Sequence, residues 1–201
     1  MQEVYAYGFE NGLDTWNVGS NIPAGPDTWA INTTNPHSGT NAMHADNVAE
    51  VGDQILTSPE ISIPSDLSNL TMQFWNNQVM EDGSGICFDG GLLFISTDGG
   101  NNFTQVDNSK LVTDPYDFTL SSQYSNPHGG SQAWCGDPQD WLNSIVDIND
   151  YSGQDVIFRF HLATDSSVNH EGWYIDDFKV QGCAIDDTDL IFENGFETPA
   201  P

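Results

Sequence analysis

Short apolar stretches recur along the whole chain, either alternating with polar positions or continuous, and clusters of Gly, Pro, Asn and Asp separate them. A period of two with turn residues at each end predicts strands, and almost no segment carries the 3.6-residue period of a helix. Strands are expected at 4–10 ("VYAYGFE"), 28–32, 41–45, 54–58, 60–64, 70–77 and 91–97. Four more follow at 102–106, 144–148, 155–163 and 172–180. The "DGG" of "STDGGNNF" supplies the positive-φ positions of a tight hairpin, and "NDYSGQ" makes a turn before the strand at 155. Such a series predicts an all-β fold, an antiparallel β-sandwich or jelly roll. The segment from 107 to 143 alternates weakly and reads as an excursion of loops. We place one domain at 1–182 and a polar tail at 183–201, whose "FENG" at 192–195 repeats that at 9–12.

The last strand, "GWYIDDFKV", changes parity: Trp173 and Ile175 are odd, Phe178 and Val180 even. A one-residue bulge at Asp176–Asp177 reconciles the two halves and aims both carboxylates at one point. Burying an unpaired carboxylate costs several kcal/mol, so these two need a partner or solvent. Glu10 is a second acid set in an aromatic strand, and the loop at 35–46 offers backbone carbonyls with Ser38, Asn41 and Asp46. Calcium takes six to eight oxygens of these kinds. Spacing alone leaves two readings: a Ca²⁺ site built from these residues, or an acidic pair facing solvent from an edge strand.

Charge narrows the choice of partners. The 201 residues include 30 acids against 3 basic side chains, Lys110, Arg159 and Lys179, for a net charge of -27. That balance excludes nucleic acid and disfavours anionic membranes; the excess is met by solvation or by bound divalent cations. Aromatics spread along the chain, at 11% of residues, mark a folded domain rather than a disordered acidic segment. No apolar run approaches the length of a membrane span. The sequence after Met1 is already strand-like, so a leader or upstream domain is expected to have been removed. Cys87 and Cys135 each lie in a Gly/Asp-rich loop and form the best disulfide pair, leaving Cys183; three free thiols in a cytosolic protein are the alternative. Together with the acidic, Asn- and Gly-rich surface, the cysteines favour secretion.

The segments "GFENGLDTW", "HSGTNAMHA", "DGGLLFISTDGGNNFTQV", "AWCGD", "VDINDYSGQDVIFRFHLATD" and "GWYIDDFKV" occur in an order that resembles MAM-like jelly-roll domains. The variant most similar is the one attached to bacterial secreted metalloproteases of the immune-inhibitor-A type, and the resemblance covers residues 4 to 182. It implies a non-catalytic accessory or adhesion module beside a protease or other neighbouring domain of a larger secreted protein. It also implies a structural calcium tying Glu10 to Asp176 or Asp177, with the Ser38–Asp46 loop less firmly matched. The cysteines depart from the animal MAM pattern, which leaves the pairing open.

Other candidates stand apart from that resemblance. Asp82, Asp89 and Asp165, with Glu81 and Glu171 near them in sequence, form either a second calcium site or a solvated acidic rim, the rim being the commoner outcome. Trp134 and Trp141, in the loop excursion, are the tryptophans expected to bind a ligand, as in a carbohydrate-binding module stacking aromatic faces on sugar rings. A polysaccharide or a protein surface is thus a candidate partner. No nucleophile–base pair or zinc spacing is recognisable, so no catalytic residue is assigned; a hydrolase using an unrecognised acidic pair is the remaining enzymatic reading.

Overall fold

A computed structural model of the chain describes residues 1–185. In chain order the first strands are β1 (Gln2–Tyr7), β2 (Asn17–Ser20), β3 (Ala30–Asn32), β4 (Ala42–Asn47), β5 (Gly52–Thr57), β6 (Ile61–Ser62) and β7 (Leu67–Val79). A short hairpin, β8 (Asp82–Gly83) and β9 (Ile86–Cys87), leads to β10 (Gly90–Ser96) and β11 (Thr104–Gln105). The excursion holds β12 (Phe118–Thr119) and β13 (Gln132–Ala133). The chain then returns through β14 (Leu142–Asp147), β15 (Asp155–Thr164) and β16 (His170–Ala184).

Two six-stranded antiparallel sheets result. The first runs β14-β7-β16-β4-β3, with β1 also on β16; the second runs β11-β10-β15-β5-β2, with β6 also on β15. Each of the eleven expected strands has a counterpart, and the sandwich is the expected class. β2, β8, β9, β12 and β13 are additional; all are short, and β2 and the β8–β9 hairpin carry glycines that blur alternation. β16 continues two residues past the expected domain end, pairing Cys183 with Ser68 and Ala184 with Leu67. The tail's "FENG" at 192–195 lies outside the described residues.

Alternation sets what is inside. Along β7, Leu70, Met72 and Phe74 are buried between half-exposed Thr71, Gln73 and Trp75. On β15, Phe158, Phe160 and Leu162 are fully buried. Rings meet edge to face in the core, Phe74 of one sheet on Phe160 of the other at 4.9 Å, and Trp16, just before β2, on Phe178 at 5.1 Å. Burying each of the phenylalanines is worth about 2–3 kcal/mol, and this aromatic layer joins the sheets together with the aliphatic side chains around it. Cys87 and Cys135 form a disulfide. They pack with Leu92, Leu120, Ala133 and Ala163 in a second, smaller core that fastens the excursion to the outer side of the second sheet.

β16 changes neighbour midway along one edge. Its residues His170–Ile175 pair with β4, whereas Phe178–Gly182 pair with β1. The expected bulge sits at that junction: the register with β7 shifts between Asp176 and Lys179, and Asp177 adopts φ 47°. Between the ends of β4 and β1 the ladder has a gap, and the loop before β4 fills it.

Candidate functional site

In that gap the two aspartates take the place of missing strand acceptors. Asp176, fully buried, accepts from the backbone N–H groups of His37 (3.0 Å), Ser38 (3.1 Å) and Asp177 (2.7 Å). Asp177 accepts from Ser38 Oγ at 2.9 Å and faces His37 Nδ1 at 2.6 Å. Glu10 accepts from Thr40 N, Asn41 N and Thr40 Oγ1; the two backbone N–H groups, chiefly, hold its carboxyl below the usual range. Burial raises Asp176 to about 6, against the pull of the bonds from Ser38 and Asp177. The loop thus binds Glu10, Asp176 and Asp177 through N–H and O–H donors. Ser38 and Asn41 act there as donors, Asn41 Nδ2 also reaching the carbonyls of Phe9 and Glu10. Asp46 stands apart, exposed on β4 with its carboxylate 3.8 Å from His44 Nδ1. Among the described residues, the acids and histidines whose ligand atoms cluster within 4.8 Å in threes do not include Glu10, Asp176 or Asp177. In this arrangement the oxygens of these three acids are met by N–H and O–H donors of the loop.

The same loop completes a row of rings across the outer face of the first sheet. His37 stacks on Trp75 at 3.7 Å and 14°, and its edge meets Trp141 at 5.6 Å. Trp141 meets Tyr174 at 6.2 Å, which leans on His44 at 4.1 Å. Beside them an open groove of about 360 Å³ is lined by Trp141 with Asn35, Asn77, Gln139, Asp140 and Glu171 among others. Trp141 is therefore on the surface as expected. Trp134 is not: it is 0% exposed, packs between Phe74 and Trp173, and donates from Nε1 to the Asp114 carbonyl at 2.9 Å. An irregular segment has no alternation by which a sequence could reveal that inward face.

The second acidic group forms with one substitution of membership. One oxygen each of Glu81, Asp89 and Asp165 lie within 4.8 Å of one another. Asp82 turns away in the β8–β9 hairpin, exposed and near Gly136, because the chain bends after Met80 bridges Gly136. Nor is this a solvated rim, since Asp89 and Asp165 are 0% and 1% exposed. Burial, with repulsion from Asp165 and Glu81, pushes Asp89 up to about 7 despite bonds from Asn47 and Asp165.

A third group joins residues far apart in the sequence. Asp53 accepts from Asn21 Nδ2 at 2.8 Å and faces His161 Nδ1 at 2.7 Å and His128 Nε2 at 3.1 Å. Burial raises this carboxyl, but the bonds from His128 and His161 prevail and hold it far below the ordinary range. Burial lowers His161, whose Nε2 has no hydrogen-bond partner, so the ring stays neutral with its proton on Nδ1. The group pins His128 of the excursion onto β5 and β15. Asp53→Asn should cost about 2–4 kcal/mol near neutral pH, since an amide turns a donor toward a donor. Because Asp53 is depressed when folded, its stabilisation is present above pH ~3.8 and fades as the pH falls below that value. The wild-type advantage in urea midpoint should therefore shrink from pH 5 to pH 3; a pH-independent gap would sink this reading. His161, which burial lowers, should titrate below 6.5 by NMR.

No protein-family model matches the chain. Bacillopeptidase F of Bacillus subtilis (strain 168) is 26% identical over 182 residues, covering 86% of this chain but only 10% of that protein's length. Among solved structures, the K1 cleaved adhesin domain of Lys-gingipain from Porphyromonas gingivalis W83 matches with a TM-score of 0.54 at 15% identity, over 89% of this chain and 97% of that one. The K3 cleaved adhesin domain of the same protein gives 0.52 at 15% identity, over 89% and 98%. TmCBM61, solved in complex with beta-1,4-galactotriose, gives 0.52 at 19% identity, over 87% and 94%. The fold is thus that of β-sandwich adhesin and carbohydrate-binding domains. Among the described residues no helix is long and apolar enough to cross a membrane.

Proposed function

We propose that this chain is a non-catalytic binding module of a larger secreted protein and that its outer-face groove takes polysaccharide. The observation carrying this is Trp141, part-exposed and supported by His37 and the buried Tyr174, on an open groove lined by amides and acids. Sugar rings offer apolar C–H faces to aromatic rings and hydroxyls to short polar side chains. The groove's Asp137, Asp140 and Glu171 disfavour anionic sugars, so neutral or cationic polysaccharide is the ligand class. Likeness to the galactotriose-bound module supports the ligand class, and likeness to Bacillopeptidase F supports a protease as the parent, in keeping with the MAM-like resemblance.

Retention on insoluble polysaccharides tests the proposal. Trp141→Ala should abolish retention while leaving the melting temperature near that of the wild type. Trp134→Ala should do something different, destabilising the fold by about 3–5 kcal/mol through the cavity it opens. Unchanged retention of Trp141→Ala on every polysaccharide that holds the wild type, or no retention of the wild type on any, would defeat the groove reading.

A further inference from the structure

Four strand ends converge on the Glu81 group, two from each sheet. Glu81 follows β7 and Asn47 ends β4 in the first sheet; Asp89 precedes β10 and Asp165 follows β15 in the second. The β8–β9 hairpin projects from this point, and the carbonyl of Glu81 accepts from Phe88 N and Asp89 N at its neck. Three carboxylates therefore meet between the sheets, two of them without solvent.

The protein leaves them without a positive partner. Lys110 is engaged with Asp150 at 2.6 Å, Lys179 lies 3.8 Å from Glu3, and Arg159 donates to Thr57 and covers the Phe103 ring. Those are the three basic side chains of the whole sequence. Only His170, exposed at the start of β16, acts on Glu81 from a distance.

Independent of the charges, two oxygens at the site lack partners. Asn47 is 1% exposed and its Oδ1 accepts no hydrogen bond, although its amide lies against the cluster with Nδ2 2.6 Å from Asp89 Oδ2. Glu81 Oε2 is likewise buried and unpartnered. A buried carbonyl-type oxygen without a donor is rare in folded proteins and marks a missing group. The remaining contacts are donors to the acids: Asp165 N to Asp89 Oδ1 at 2.6 Å and Ser167 N to Asp165 Oδ1 at 2.8 Å.

We propose that Glu81, Asp89, Asp165 and the amide oxygen of Asn47 bind a divalent cation of the calcium class. All four donors are hard oxygens, with no thiolate or imidazole among them, which selects Ca²⁺ over Zn²⁺. Rotating the Asn47 amide by half a turn exchanges its oxygen and nitrogen within the same plane, bringing the orphan oxygen to the Asp89 side. The ion staples the two sheets at one end and closes the neck of the hairpin that carries Cys87. This site is separate from the carbohydrate groove and from the Glu10–Asp176 loop.

The test is calcium binding by the full chain after stripping with chelator, with residual metal checked by elemental analysis. Equilibrium dialysis and thermal unfolding are run in Ca²⁺ and, at matched ionic strength, in Mg²⁺. The expected result is saturable binding of one Ca²⁺ at this site and a rise of several degrees that Mg²⁺ does not match. Glu81→Gln, at a part-buried position, should weaken binding at least tenfold, and Asp165→Asn should remove it. Glu10→Gln should leave it intact. Absence of binding by stripped wild type overturns the proposal, as does an equal response to Mg²⁺. Binding that survives Glu81→Gln unchanged but is lost in Glu10→Gln would place the ion on the other loop and overturn it too.

Discussion

Replacing Gly172 with alanine should leave little folded protein at 37 °C. Gly172 sits at the irregularity where β16 meets β4, with φ +115°, and a Cβ there would lie 2.0 Å from the Ala45 carbonyl oxygen and 2.8 Å from Asn47 N. Both obstacles are backbone of the neighbouring strand, so no side chain can swing aside. Strain at that φ costs about 1–3 kcal/mol, and parting the strands costs more through lost ladder bonds and core contacts. A total of at least about 4 kcal/mol consumes much of the 5–15 kcal/mol that a domain has in hand. Gly12→Ala is the internal control: φ is +86°, but nothing lies within 4 Å of its Cβ. It should cost only about 1 kcal/mol. Denaturant midpoints for the two variants decide the matter; equal losses would mean that torsion, not the approach of β4, governs position 172.

Reducing the Cys87–Cys135 bond should have the next largest effect. The bond closes 48 residues of chain, for which the loop-entropy relation gives about 4 kcal/mol. Both sulfurs lie in the small core under the excursion, so reduction frees Leu120 and Ala133 to leave Leu92 and Ala163 together. The loss should be local first: hydrogen exchange at residues of β12 and β13 should accelerate ahead of β7 and β16. A loss below about 1 kcal/mol would show that the Asp53–His128–His161 group fixes the excursion without the bond.

Much of this was legible in the chain. Alternation located the long strands because one face of each is core, and the parity change at Asp176–Asp177 located the bulge. It could not say what the aspartates face. Their partners are largely backbone N–H groups of residues 37 and 38, which every sequence possesses and only the gap between β4 and β1 presents. Glu81 and Asp82 are adjacent acids, and which one turns inward depends on the bridge from Met80 to Gly136, a contact across 56 residues. Asp53 and His128 are 75 residues apart with no spacing that links them. Trp134 illustrates the same limit in the excursion, where burial comes from tertiary packing without a periodic pattern.

The exchange of neighbours along β16 has a consequence for how the molecule is made. β16 lies between β7 on one edge and both β4 and β1 on the other, and it joins Gln2 to Gly182. Among the described residues, until β16 emerges β1 has no sheet to join, β4 lacks its inner partner, and the core faces of β7 and β15 are exposed. Pairing over such sequence separations is slow because loop closure precedes any gain from contact. During synthesis the chain must therefore remain open until the residues of β16 have emerged. Its charge of -27, by keeping unfinished chains apart, guards that interval.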